Sequence, residues 1–339
     1  MDNAPTVAVV TPVYNCVPYV EEALRSIEAQ TRLPQRVVVV DDGSTDGSGR
    51  IVANFAAHSR LPLEIVPQPN RGIAAARNAG VERCHEDLIA FLDGDDTFYP
   101  TFIERTADVL LRHPELLLCF PDRDVVDEVG NFMRHDLDDA KFRAIASERL
   151  PDGVSVLAES PFSALIPGSV IPFGLMVRRA AILEVHGFDE EMQAVEDKLF
   201  LMQLAKMGKF GFLDMPLATW RRHNTTTTSG AGNAFRNAFY DDLALEKVEQ
   251  SAARLGLTSD ELAIIRQQRK KNSTGLLYAA SNEARPEFFK IVLKLIKERR
   301  APWRRVPKAC LRYAWRRAGR ISSLTGAKQQ AKHKSELSA

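Results

Sequence analysis

Short apolar segments alternate with segments of helical periodicity over the first hundred residues of the chain. The apolar segments are rich in β-branched residues and bounded by turn residues, which is typical of buried strands. The predicted strands are Thr6–Val10, which Pro12 is expected to end, Arg36–Val40, Leu63–Val66 and Leu88–Leu92. The predicted helices are Tyr19–Gln30, a segment through Ile51, Val52 and Phe55, and one that begins within Gly72–Gly80. This alternation predicts a mostly parallel sheet with both faces covered.

Further elements follow at wider spacing. The pattern predicts strands at Leu116–Phe120 and Val170–Val177, and helices at Asp197–Met207, Phe235–Leu255 and Glu261–Ala280. Thr258-Ser259-Asp260-Glu261 has the Thr-x-x-Glu form of a helix capping box. We therefore expect an α/β unit followed by a helical C-terminal region.

Polar residues collect where three of the predicted strands end, after Val10, Val40 and Leu92. In sheets of this kind ligands bind at the carboxyl ends of the strands. The residues after these three strands are therefore expected to share one site.

The segment Asp93-Gly94-Asp95-Asp96 follows the last of these strands. If the chain stays extended past Leu92, Asp93 and Asp95 project to the same side. Two carboxylates there suit a hard cation such as Mg²⁺ or Mn²⁺, which keeps open positions for phosphate oxygens. Taken alone, the segment is equally compatible with a solvated acidic turn, because Asp and Gly are common turn residues.

The other two strand ends carry groups that suit a nucleobase. Tyr14 could stack on a base, and Asp42 could accept a hydrogen bond from a base N–H. The alternatives are a half-buried loop aromatic and an ordinary Asp-Gly turn. Arg77 lies in the small-residue segment Asn70–Gly80, where it could pair with phosphate or be solvated on a surface helix.

A second polar group lies further along the chain. Glu196 and Asp197 begin a predicted helix, where the helix dipole alone would favour them, but one of them could act as a general base. Arg221 and His223 lie in Trp220-Arg221-Arg222-His223, just before a threonine-rich run. They are candidates for a diphosphate clamp, although a lone histidine is more often a structural donor.

Composition excludes several classes of protein. The chain is 45% hydrophobic and 26% charged, which is ordinary for a soluble globular protein. Its four cysteines, Cys16, Cys84, Cys119 and Cys310, form no C-x-x-C pair, which argues against a zinc site or disulfide scaffold and fits a reducing compartment. Neither a signal peptide nor a membrane-spanning run is evident, so a cytoplasmic location is expected.

The formal net charge of +1 conceals an uneven distribution. The chain has 45 Lys+Arg and 44 Asp+Glu, but residues 286–339 hold 15 and 3 of these, leaving 30 and 41 for residues 1–285. The chain thus has an acidic body and a strongly basic tail.

The tail is amphipathic by pattern. Five apolar residues are predicted to share one helical face: Phe288, Phe289, Val292, Leu293 and Ile296. A second apolar set recurs at helical spacing further on, at Trp303, Val306, Cys310 and Tyr313. Beside it lies a basic stripe of Arg305, Lys308, Arg312 and Arg316. This favours an interfacial helix on an anionic membrane surface through residues 286–320. The alternatives are docking on the catalytic domain, followed by a disordered tail after Ser322, and nucleic-acid binding, for which no motif is present.

In their order along the chain, these segments resemble the family 2 glycosyltransferases, which are inverting enzymes of the GT-A fold. The matching segments are residues 9–15, 39–46, 70–80 and 91–96, then Gly187-Phe188-Asp189-Glu190 with Glu196-Asp197, and residues 220–223. The similarity covers roughly residues 5–230. Two positions depart from the family pattern: Trp220, where Tyr is frequent, and His186, where a second Gly is frequent.

The resemblance implies a role for each candidate residue. Those expected to contact the nucleoside are Pro12, Tyr14, Asp42 and Arg77, with Asp93 near the ribose. Asp95 would bind the metal, with His223 near the metal or diphosphate and Arg221 beside the diphosphate. Asp96 would support the site or touch the donor sugar. Asp197 would deprotonate the acceptor, with Glu196 beside it.

These expectations describe a cytoplasmic enzyme, peripheral on a membrane, that uses a nucleotide-sugar donor, UDP-linked by preference, and Mn²⁺ or Mg²⁺. It would build a surface glycan on a glycan or lipid-linked acceptor. The expected division is a catalytic domain at 1–230, a helical extension at 231–285 and the basic tail at 286–339. The competing functions are a nucleotide-sugar-binding protein without transfer and an NAD-dependent oxidoreductase, which the missing G-x-G-x-x-G disfavours.

Overall fold

A computed structural model describes residues 4–136, 147–157, 161–167, 174–223 and 233–318. Its strands are β1 (Val7–Val13), β2 (Arg36–Asp41), β3 (Leu63–Pro67), β4 (Leu88–Phe91), β5 (Thr97–Phe98), β6 (Leu116–Val126), β7 (Phe132–His135), β8 (Ser147–Arg149), β9 (Ser155–Leu157), β10 (Met176–Arg178) and β11 (Lys209–Arg221). Its helices are α1 (Val20–Glu28), α2 (Ser48–His58), α3 (Ile73–Glu82), α4 (Phe102–Arg112), α5 (Phe162–Leu165), α6 (Arg179–Glu184), α7 (Glu196–Ala205), α8 (Ala234–Gln250), α9 (Ala252–Leu255), α10 (Ser259–Asn282), α11 (Phe288–Lys297) and α12 (306–318).

The strands form one mixed sheet in the order β3-β2-β1-β4-β10-β6-β11-β9-β8, with β5 added to β11 and β7 to β6. The first four strands in this order are parallel, as predicted, and β6 is parallel to β11. Alternate residues of β1 enter two different cores: Val7 and Val9 lie in one, and Ala8 and Val10 in the other. Burial on both faces explains why β1, β2 and β4 are almost continuously apolar.

The prediction that Pro12 ends the first strand is wrong, because β1 continues to Val13. The carbonyl of Val10 accepts from the N–H of Leu92 on the β4 side, and Pro12, two residues on, faces the same side. Pairing with β4 has stopped there, while β2 still pairs with Pro12 through Val40. Proline's missing N–H therefore costs no ladder hydrogen bond.

The long pair of β6 and β11 was only partly predicted. β6 runs six residues past Phe120, and β11 was not predicted at all. Register shifts interrupt the pairing around Pro216, and Gly211 further breaks the apolar pattern of β11. Part of the predicted strand Val170–Val177 lies outside the described residues, which contain only β10 from it.

The helical region packs against the sheet. Ala244, Leu245 and Val248 of α8 and Ile265 of α10 are buried in one of the two sheet cores. The predicted capping box is confirmed, since Thr258 accepts from the N–H of Glu261 and the Glu261 carboxylate accepts from the N–H of Thr258. The boundaries at residues 230 and 285 stay predictions.

The predicted apolar face of the tail is corrected by the structure. Helix α11 buries Phe288, Ile291, Val292 and Leu295, whereas Phe289 and Leu293 are exposed. The buried residues pack on α10 and α12 in a third core that includes Leu277 and Tyr313. The tail helices are therefore docked on the preceding helices through one face. The predicted disordered segment after Ser322 lies outside the described residues.

Candidate active site

The loops after β1 and β2 are tied to each other at the edge of the sheet. The side-chain oxygen of Asn15 accepts from the N–H of Thr45, and the N–H of Asn15 donates to the hydroxyl of Ser44. Tyr14 stands beside this link with 51% of its surface exposed, and Pro12 is buried in β1. Tyr14 is thus accessible for stacking.

Asp42 is buried and already engaged by the protein. One carboxylate oxygen accepts from the N–H of Arg71 and the amide of Gln68, and the other accepts from the N–H of Gly72. The carboxylate therefore fixes the loop that leads into α3. A carboxylate has about four acceptor positions, and the protein occupies three of them here. The nucleobase role of Asp42 stays a prediction.

The Asp93–Asp96 turn lies directly on the end of β1. A Cβ at Gly94 would come within 3.0 Å of the Cys16 sulfur and 3.1 Å of the Pro12 carbonyl oxygen. Glycine at this position therefore lets the turn approach the first strand closely. The polar clusters after β1, β2 and β4 lie together, as the strand order predicts.

Asp95 pairs with His223 across this edge, with 3.0 Å between Oδ2 and Nε2. The His223 ring packs on Tyr19 at a centroid distance of 4.8 Å. The two predicted metal-side residues are 128 positions apart in sequence and are brought together because β11 ends beside the turn.

Arg221 lies beneath the site surface, with its side chain 3% exposed. Its guanidinium donates to Glu22 and the Asp95 carbonyl and stacks over Tyr19 at 5.0 Å. Its backbone N–H donates to the buried carboxylate of Asp96 at 2.8 Å. Arg221 and Asp96 thus fix the Asp95 turn in place, and the diphosphate role of Arg221 stays a prediction.

Arg77 pairs with a carboxylate from each of the two acidic segments, Asp93–Asp96 and Glu196-Asp197. Its side chain is 2% exposed and donates to Asp93 at 2.8 Å and to Glu196 at 2.7 Å. It also stacks over Phe188 at 5.4 Å. The assignment of Arg77 to the nucleoside stays a prediction; in this structure the guanidinium holds a strand-end carboxylate against the start of α7.

Burial dominates the electrostatics of these carboxyl groups. It raises the pKa of Asp93 and Glu196, and the positive charge of Arg77 opposes that rise at both. Burial also raises the pKa of Asp96 well above its usual value, and the charges of Asp95 and Asp93 add to the rise. Negative charge is concentrated here, so a bound cation would be favourable.

The loop before α7 is held in an unusual conformation. His186 has φ +62° and Val195 has φ +62°, which L residues rarely adopt, β-branched ones least of all. The positive φ of His186 explains why glycine suits that position. Asn78 clamps the loop by accepting from the N–H of Phe188 and donating to its carbonyl. Strain beside Asp197 is typical of a functional site.

Gly187→Ala should test this clamp. Gly187 has φ +73°, and a Cβ there would lie 2.5 Å from Oδ1 of Asn78. We expect a loss of about 1–3 kcal/mol in the free energy of unfolding, measured by urea denaturation. His186→Gly is the matched control and should cost nothing, because it removes a strained φ. Equal stability of Gly187→Ala and the native chain would contradict the clamp.

Helix α8 supports the same loop from the other side. Lys198, which follows Asp197 and is fully buried, donates to Asp241 and to the Ile166 carbonyl. Lys247 pairs with Asp189 at 2.8 Å. The helical region thus fixes the position of the Glu196-Asp197 pair.

The sequence motifs did not identify several residues that hold the site residues in place. Asn78 and Lys198 adjoin predicted residues, but neither belongs to a motif of recognised chemistry. Arg123 lies on the unpredicted half of β6, where it pairs with Asp136, stacks over Trp220 at 4.6 Å and places positive charge near Asp93 and Asp96. A correct length for β6 would have brought Arg123 to the site.

Part of the chain is similar to a known family of proteins. Residues 8–163, a little under half of the chain, match the family model Glycosyl transferase family 2. The chain is 27% identical over 227 residues to a Bacillus subtilis protein named glycosyltransferase EpsH. The aligned region covers 65% of this chain and 62% of that protein. It therefore spans less than two thirds of that relative.

Solved structures share the fold. S. aureus TarS 1–349, in complex with UDP, superposes with a TM-score of 0.53 at 18% identity, covering 87% of this chain and 89% of that one. The mannosyltransferase PcManGT from Pyrobaculum calidifontis, in complex with GDP-Man and Mn²⁺, gives 0.55 at 19% identity, covering 92% and 87%.

The fold is that of the GT-A glycosyltransferases. Residues 8–163 resemble the family 2 glycosyltransferases, the family that the motifs of this part of the chain predicted.

Proposed function

We propose that the chain is an inverting, metal-dependent glycosyltransferase. It moves a sugar from a nucleotide-diphosphate sugar, UDP-linked by preference, to a hydroxyl of a glycan or lipid-linked acceptor. The observation that carries the proposal is Arg77, which binds Asp93 and Glu196 together and so sets donor-side and acceptor-side carboxylates in one site.

The acceptor side supports Asp197 as the general base. Glu196 is buried, and its Oε1 accepts a hydrogen bond from Arg77. Asp197 is only partly buried, and its charge acts on both Arg77 and Glu196. Glu196 therefore positions the pair, and Asp197 takes the proton. One base and no covalent intermediate give inversion at the anomeric carbon.

On the donor side of the site, we assign nucleoside binding to Tyr14, Pro12, Asp42 and Asp93. Tyr14 is exposed enough to stack on the base. The complexes of TarS with UDP and of PcManGT with GDP-Man support a nucleotide donor.

Asp95 and His223 fit a divalent ion as two ligands. Their side chains meet at 3.0 Å and combine a carboxylate with an imidazole, a donor set that suits Mn²⁺. Among the described residues no group of three or more His, Cys, Asp or Glu could hold a metal, so the donor's phosphate oxygens would complete the coordination. The Mn²⁺ bound to PcManGT supports this assignment. When bound, the ion stabilises negative charge on the leaving diphosphate.

A donor panel tests the activity. UDP- and GDP-sugars are incubated with the chain and Mn²⁺ or Mg²⁺, and nucleoside diphosphate release is measured. We expect release from one donor class and dependence on the ion. Nucleotide binding by calorimetry without release from any donor or transfer to any acceptor would assign a binding role instead.

Asp95→Ala should abolish metal-dependent nucleotide binding. The substitution removes one of two protein ligands, so calorimetry with and without Mn²⁺ should give the same weak nucleotide affinity. Glu128→Gln removes an exposed carboxylate near Tyr19 and is the control that should keep the Mn²⁺ effect. A full Mn²⁺ effect in Asp95→Ala would remove this residue from the metal site.

A further inference from the structure

The C-terminal helices α10, α11 and α12 form a block with a core of its own. Phe288 stacks on Tyr313 at 4.6 Å, which joins α11 to α12, and both rings lie in the third core. On the α10 side, Arg312 stacks over Tyr278 at 4.3 Å and donates to Ser281. The block is therefore packed through defined contacts, and its outer surface is fixed by them.

Five large apolar side chains of this block are exposed. They are Phe289, Leu293, Trp303, Leu311 and Trp315, and each has 55–72% of its surface exposed. Phe289 and Leu293 are four residues apart on α11, and Leu311 and Trp315 are four apart on α12, so each pair shares a helical face. The Phe289 ring touches Tyr313 of α12 at 5.3 Å, which places the two pairs on adjacent helices.

The same segment of the chain is basic. Residues 286–318 contain eleven Lys+Arg and two Asp+Glu. One of the two acids, Glu298, is bound to Arg300. Among the described residues, no carboxylate pairs with five of the exposed cations of this segment, which are Lys290, Lys297, Arg304, Arg305 and Lys308. Lys308 lies three residues before Leu311 and seven before Trp315, on the same helical face.

We propose that these five apolar residues and five cations, the tail surface, bind the interface of an anionic lipid bilayer. Exposed tryptophans favour the headgroup region, apolar side chains enter the acyl boundary, and lysine and arginine bind anionic headgroups. Among the described residues no helix is long and apolar enough to cross a membrane. A nucleic acid would use the cations but would leave Leu293 and Leu311 exposed to water.

The tail surface differs from the face predicted from the sequence. Phe288, Val292 and Tyr313, which that face included, are buried in the block. Leu311 and Trp315, which it omitted, are exposed. The residues that dock the helices and the residues that would meet lipid are therefore separate, and substitution of the second set should leave the fold intact.

Vesicle co-sedimentation of the full chain tests the proposal. Phosphatidylcholine vesicles are compared with vesicles containing phosphatidylglycerol, at low and high salt. We expect at least tenfold tighter binding to the anionic vesicles and a loss of binding at high salt. Leu311→Ser/Trp315→Ser and Arg304→Gln/Lys308→Gln should each weaken binding at least tenfold with unchanged thermal stability.

Matched controls distinguish the effect of the tail surface from a general effect of removing any exposed charge or apolar side chain. Lys270→Gln/Lys271→Gln and Ile264→Ser change exposed residues of α10 and should bind like the native chain. Brominated lipid should quench tryptophan fluorescence in the native chain more than in Trp303→Phe/Trp315→Phe. This readout reports depth in the bilayer directly.

Three outcomes would overturn the proposal. The first is an equal lack of binding to both vesicle compositions, and the second is equal weakening by the α10 controls. The third is tight binding to an oligonucleotide, or self-association in solution, that Leu311→Ser/Trp315→Ser alters while vesicles do not bind. That result would assign the surface to nucleic acid or to a second copy of the chain.

Discussion

Asp197→Asn should reduce sugar transfer by roughly 10²–10⁴-fold, because an amide cannot take the proton of the acceptor hydroxyl. The substitution keeps the shape of the side chain and the oxygen that accepts from the N–H of Lys198 at 2.7 Å. Folding and donor affinity should therefore be retained. Transfer rate and calorimetric donor affinity, measured on the same preparation, separate the chemical step from binding.

Two further variants serve as comparisons for Asp197→Asn. Glu191→Gln changes a carboxylate on the same loop that is 80% exposed, and it should keep native transfer. Glu196→Gln should also reduce transfer, but through the position of Asp197, because it weakens the ion pair with Arg77. Near-native transfer by Asp197→Asn would remove Asp197 from the role of base.

The sequence predicts the location of the site better than the arrangement within it. Apolar runs ended by Asp42 and Asp93 identify parallel strands, and the topology of such a sheet then brings their carboxyl ends together. Nothing in the local pattern reveals that Arg77 turns inward to Asp93 and Glu196. The contact with Glu196 joins residues 119 positions apart and depends on how α3 packs on the sheet.

The same limit explains two of the corrections, those to α11 and to β6. A pattern of apolar residues gives a helix two candidate faces, and the packing of α11 on α10 and α12 decides which one is buried. Likewise the extent of β6 depends on β11 as its partner, which the interrupted pattern around Pro216 hides. Long-range pairing therefore decides where Arg123, Arg221 and His223 lie.

Arg77→Met should lower the free energy of unfolding by about 3–5 kcal/mol, since it leaves Asp93 and Glu196 without their common counter-charge in a buried site. Urea denaturation monitored by circular dichroism measures the loss. Arg83→Met is the matched control just beyond α3. Its guanidinium is 56% exposed and pairs with Glu64 at 3.5 Å, so we expect a change of about 0–1 kcal/mol.

The double variant Arg77→Met/Glu196→Gln separates charge from packing. If uncompensated buried charge causes the loss, removing the Glu196 charge should restore part of the stability, and the two substitutions should not be additive. Arg77→Lys keeps the charge but cannot reach two carboxylates with one planar group, so its stability should lie between those of the native chain and Arg77→Met. Two results would show that Arg77 does not hold Asp93 and Glu196 together by charge. One is that Arg77→Met is as stable as Arg83→Met. The other is that the double variant loses the sum of the two single losses.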